Sequence, residues 1–120
     1  MDELNPNLQI DYHGQVVAAT LTDEKILEDD QIQALEGSFM PLIEQNNNIQ
    51  LVIDFSNVKF LTSSVLGLLI RISKKVYEQE GKLRLCAIDP KILDVFRITR
   101  LDKIFEIFPD QDEALIGLKR

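Results

Sequence analysis

Residues 51–88 constrain the fold most, because they read as strand, turn, helix and strand in unbroken succession. Leu51-Val52-Ile53 is short, apolar and β-branched, as a buried strand is. A turn follows at Ser56-Asn57, and then three hydroxyls, Thr62, Ser63 and Ser64, stand directly before an apolar stretch of helical period. Val65, Leu68, Leu69, Ile72 and Val76 form the inner stripe of that helix, which runs from about Ser64 to Glu80. Gly81-Lys82 reads as its stop, and residues 83–88 as the next strand. Two strands joined through a helix pair in parallel, with a right-handed crossover. A buried strand therefore delivers a cluster of hydroxyls to a helix start at the edge of a sheet. Hydroxyl oxygens there can accept from the first-turn N–H groups. The same N–H groups, with the helix dipole, favour an anion.

The flanking segments extend this unit. Residues 1–7 are polar, carry Pro6 and are expected to lie loose. Residues 8–12 alternate apolar and polar like a half-buried strand, His13-Gly14 reads as a tight turn, and residues 16–21 complete a hairpin. Ile26-Leu27 reads as a short edge segment. A helix is expected from Asp29 or Asp30 to about Gln45, with Ile32, Leu35, Phe39, Leu42 and Ile43 inward. Pro41 falls inside it and predicts a kink or a break. The acidic run from Glu28 to Asp30 suits the helix dipole better than a cation loop, whose glycine is missing. Residues 49–55 form the most apolar strand, expected to be central. Asp89-Pro90 opens a short helix that ends near Thr99, residues 104–108 read as a last strand, and Pro109-Asp110 opens a terminal helix. The expected class is α/β: one domain, a mixed central sheet of four to five strands, and about four helices.

Composition narrows the function. A net charge of −7 argues against nucleic acid, whose phosphates would be repelled, and suits a basic or mixed-charge protein partner. The single Cys86 excludes an internal disulfide and a cysteine-rich metal site, and no metal or cofactor is implied. No apolar run reaches the length of a membrane span and no signal-peptide pattern opens the chain, so a cytoplasmic location without membrane contact is expected. An enzyme using Ser63 as nucleophile needs a base within reach. The only histidine, His13, falls at a hairpin tip, and there is no Gly-x-Ser-x-Gly elbow, so no catalytic residue is assigned.

The stretch Asp54-Phe55-Ser56-Asn57-Val58-Lys59-Phe60-Leu61-Thr62-Ser63-Ser64-Val65-Leu66-Gly67 resembles the STAS domain of bacterial anti-sigma factor antagonists. The family pattern there is Asp, a hydrophobe and a small residue, then Phe, a hydrophobe, Asp, Ser, Ser or Thr, Gly and a hydrophobe. Residues 83–90 and 96–101 resemble the family's following strand and helix, and the order hairpin, helix, strand, hydroxyl cluster, helix, strand, short helix, last helix resembles the family over nearly the whole chain.

The resemblance implies a switch. In the family, the first serine of the pair is phosphorylated by an anti-sigma factor that is also a serine kinase, and that position is Ser63 here. The unphosphorylated form binds the anti-sigma factor and frees its sigma factor; a serine phosphatase reverses the modification. The partner surface expected on this basis comprises Thr62, Ser63, Ser64, Leu66, Gly67 and Ile70. Leu66 and Ile70 fall off the main helical stripe, so they serve as extra core or as an apolar patch beside the hydroxyls. Two residues depart from the pattern: Thr62 stands where the family has Asp, and Val65 where it has Gly. Related STAS proteins of stress-signalling complexes use threonine, so the resemblance makes Thr62 a second acceptor candidate. The departures leave open an alternative, a STAS scaffold or small-ligand sensor without a kinase cycle.

Overall fold

The computed structural model describes residues 7–118; of the segment expected to be loose, all but Asn7 lies outside them. Strands β1 (Leu8–His13) and β2 (Val16–Leu21) form the hairpin. They are followed by β3 (Lys25–Ile26), α1 (Asp29–Glu44), β4 (Gln50–Asp54), β5 (Phe60–Leu61), α2 (Ser63–Glu78) and β6 (Lys82–Cys86). The described chain closes with α3 (Pro90–Ile98), a 3₁₀ turn (Leu101–Lys103), β7 (Glu106–Phe108) and α4 (Gln111–Leu115). The main sheet has the order β1-β2-β4-β6-β7, antiparallel at the hairpin and parallel elsewhere. It is the expected mixed α/β architecture, with β4 in the centre and buried along its whole length.

Strand alternation divides the core. Val17, Leu51 and Leu83 lie side by side, as do Ala19, Ile53 and Leu85, and these rows pack under α1, α2 and α3 with Phe39, Leu68, Ile72 and Phe96. Val16, Val52 and Cys86 face the other way, against Ala114, Leu115 and Leu118 of the C-terminal segment. Each fully buried Leu, Ile or Phe contributes about 1.5–3 kcal/mol. A one-residue slip of β4 would exchange its two faces, so both packed layers fix its register.

Several boundaries differ from the sequence expectation, each for a local reason. The short edge segment pairs in parallel with β5, making a separate two-stranded sheet beside the main one. Helix α1 runs on through Pro41 without a break. The proline sits in the last turn, where only one intrahelical bond is lost, and its own carbonyl still accepts from Gln45 N–H at 3.0 Å. The last strand begins at Glu106, because residues 101–103 form the 3₁₀ turn and leave Ile104 exposed.

Gly81 is not the left-handed cap of α2. Glu80 takes that conformation, at φ 58°. Glu80 N–H bonds Tyr77 C=O at 2.9 Å, and Gly81 N–H bonds Val76 C=O at 2.9 Å, which closes the helix as a Schellman motif. Glycine is needed at 81 for another reason: a Cβ there would stand 2.2 Å from the Ile49 carbonyl oxygen.

Candidate functional site

The loop from β4 to α2 is held from three sides. Asp54, buried at the end of β4, accepts Ser56 N–H on one carboxylate oxygen at 2.8 Å and the Gln111 side-chain amide on the other at 2.9 Å. Asn57 Nδ2 donates to the Leu21 carbonyl at 3.0 Å. Glu24 C=O accepts from Lys59 N–H at 2.8 Å and Phe60 N–H at 3.1 Å, and Ile26 C=O accepts from Thr62 N–H at 3.3 Å. Turn, edge strand and sheet thus fix where α2 begins, as rigid support for a surface group requires.

Thr62 is the N-cap residue, with extended backbone at φ −96° and ψ 167°. Its side chain does not cap the helix, contrary to the sequence expectation. The Thr62 carbonyl takes Val65 N–H at 3.0 Å, while Thr62 Oγ1 is buried without a hydrogen-bond partner. Ser63 and Ser64, the first two helical residues, are exposed. Val65, where the family pattern has Gly, is buried in the core, which accommodates its extra bulk.

Two grooves flank the serines. On one side a groove of about 460 Å³ runs between the start of α2 and α3; Ser63, Thr62 and Leu66 line it together with Lys59, Lys91 and Ile92. Its apolar rim is open to solvent, with Leu27 46% exposed, Phe60 52% and Val95 40%. The Lys25 ammonium lies 5.6 Å from the Phe60 ring centre. On the other side a groove of about 390 Å³ is lined by Ser64, Gly67, Arg71, Glu36 and Asp29. Arg71 forks onto Glu36 there through two hydrogen bonds of 3.0 Å, which raises the guanidinium pKa, chiefly through the hydrogen bond itself.

The expected surface residues do not all share one role. Ser63 and Ser64 are exposed, and Gly67 is half-buried beside Arg71. Leu66 is only 6% exposed and joins the core, although one edge lines the larger groove. Ile70 is half-buried against the same core. Sequence reasoning missed Lys59, Phe60, Lys91 and Val95. Lys91 carried a signal: it is a cation in the first turn of a helix, where the dipole disfavours it.

His13 lies at the opposite end of the sheet. Its hairpin partner Val16 pairs with Gln50, whereas the hydroxyls follow Asp54. The four residue steps from Gln50 to Asp54, about 13 Å at 3.3 Å per step, separate those ends. Cys86 is fully buried, and burial, followed by the nearby Asp54 charge, pushes its thiol up to about 12. No helix among the described residues is long and apolar enough to cross a membrane.

Known proteins share this fold. A protein named anti-sigma F factor antagonist, from Paenibacillus polymyxa, is 22% identical over 116 residues, covering 97% of each chain. An anti-sigma-factor antagonist (STAS) domain protein from Planctomyces limnophilus superposes with a TM-score of 0.83 at 21% identity, over 92% of this chain and 96% of its own. The Bacillus cell fate determinant SpoIIAA, solved in its phosphorylated form, superposes with a TM-score of 0.71 at 17% identity, over 90% and 96%. The STAS domain model matches residues 27–114, a span that runs from just after β3 through both grooves to most of α4; the chain belongs to the STAS domain family.

Proposed function

We propose that the protein is an anti-sigma factor antagonist, a binding module rather than an enzyme, switched by phosphorylation of Ser63. Its partners on this reading are an anti-sigma factor with serine kinase activity and a serine phosphatase, and its output is sigma-factor-dependent transcription. The observation that carries it is the position of Ser63: an exposed hydroxyl on the first residue of α2, at the lip of an apolar groove. The relative named anti-sigma F factor antagonist and the phosphorylated SpoIIAA support the same reading. Ser63 is favoured over Thr62 because Thr62 Oγ1 is buried.

The physics fits a switch of affinity. A phosphoryl group adds nearly two negative charges, which a helix N-terminus tolerates, so the fold survives. A partner surface that buries Ser63 beside Leu66 and Val95 would gain an unpaired charge, and each 1.4 kcal/mol lost is about tenfold in affinity. Gly67 and the half-buried Ile70 continue the contact along α2.

Calorimetric titration of the Ser63→Ala and Ser63→Glu variants against the anti-sigma factor kinase encoded in the same genome tests this. The alanine variant is expected to bind and the glutamate variant to bind at least about tenfold more weakly. Equal affinities would count against the assignment.

A further inference from the structure

Resting on Ser63 as the acceptor, the geometry points to a phosphate clamp within the chain. We propose that a phosphoryl group on Ser63 is held in cis by the ammonium groups of Lys59 and Lys91, across the mouth of the apolar groove. Modification then closes the groove from within, besides placing charge in front of a partner. The transfer forms a Ser63 Oγ–P bond and breaks the bond from the γ-phosphorus of ATP to its bridging oxygen. ADP leaves, and the hydroxyl proton passes to the kinase's base.

Two observations converge. The chain carries a net charge of −7, yet Lys59 and Lys91 both line the groove that Ser63 lines, and Lys25 lies over the adjoining Phe60 ring. The first turns of α2 and α3 hold no acidic residue, whereas those of α1 and α4 hold Asp29 with Asp30 and Asp112 with Glu113. The Asp89 carboxylate already caps α3, so the helix start that lacks an anion is that of α2, where Ser63 stands.

The other charged groups nearby are already engaged or turned aside. Asp89 approaches Lys59 only loosely, at 4.0 Å, and accepts Lys91 N–H at 2.9 Å as the cap of α3. Asp94 pairs with Arg97 at 3.1 Å. Asp29, Glu36 and Arg71 line the neighbouring groove, on the Ser64 side of α2.

The test places phosphoserine at position 63 during synthesis and follows the phosphate by ³¹P NMR as pH is varied. Cations lower the second phosphate pKa, which is about 6 for free phosphoserine. The clamp predicts that it lies at least about half a unit lower in the native background than in the Lys59→Met/Lys91→Met double variant. Identical titrations in the two backgrounds would overturn the clamp, since the helix dipole acts equally in both. Circular dichroism checks that the double variant is folded. Because the phosphate is installed rather than transferred, the result does not depend on whether a kinase uses Ser63, so failure of the clamp and failure of the acceptor assignment are separately visible.

Discussion

Gly67 sits in the interior of α2, where glycine is about 1 kcal/mol less favourable than alanine. Nothing in the packing demands it: a Cβ there would meet only the Arg71 guanidinium, at an ordinary 3.7 Å. On the proposed reading, its lack of a side chain lets a partner approach the helix beside Ser64. Gly67→Ala is expected to raise unfolding free energy by about 1 kcal/mol in urea titration while weakening partner binding. Stabilisation without loss of binding would remove Gly67 from the contact. Cys86 gives a second prediction. The folded thiol stays neutral up to about pH 12, while the unfolded thiol ionises near 9. The stability it contributes is present below pH 9 and is lost as pH rises from there toward 12, by up to about 1.4 kcal/mol per unit. Stability of Cys86→Ala measured over that range should fall less steeply than that of the native protein. At this scale the sequence was legible for the placement of Ser63 at a helix start, because a hydroxyl cluster before an apolar helical period is a local pattern. It was misleading for Thr62: its identity suits a cap, but its oxygen is turned into the protein, a matter of three-dimensional packing.

The elements show the same division. Helices α1 and α2 were readable from their periodic stripes, and β4 from its unbroken apolar run, because burial on two faces leaves no alternation. The pairing of β3 with β5 was not readable, since two-residue strands carry no period and are made by backbone bonds such as Lys59 N–H to Glu24 C=O. The end of α2 was misread at the level of conformation. Glycine at 81 looked like the left-handed cap, but that role falls to Glu80, which as a residue with a Cβ is strained there by about 1–2 kcal/mol. Glu80→Gly is therefore expected to stabilise the fold by about 1 kcal/mol. Gly81→Ala should destabilise it by about 1–3 kcal/mol, because the Ile49 carbonyl cannot retreat from a Cβ at 2.2 Å without moving the backbone. Thermal unfolding of the two variants, shifting in opposite directions, checks the placement; a gain from both would contradict it.

For the molecule as a whole, the sheet separates support from surface. One layer of helices and the C-terminal segment enclose β4, and the loop after it is tied to β2, β3 and α4 through Asn57, Glu24 and Gln111. Such a frame lets a surface residue change charge without disturbing the core. The parallel order of the sheet followed from the strand–helix–strand sequence, but the grooves did not, because their lining comes from segments as far apart as Leu27 and Val95. The central claim is that the hydroxyl of Ser63 is where this protein is switched. Intact-mass measurement of the protein purified from its native host, beside a Ser63→Ala strain, tests it most directly. A species heavier by one phosphoryl group is expected in the native protein and is expected to be absent from the variant. Persistence of that species in the variant, which would move the acceptor to Thr62 or Ser64, or its absence from both under every growth condition, would contradict it.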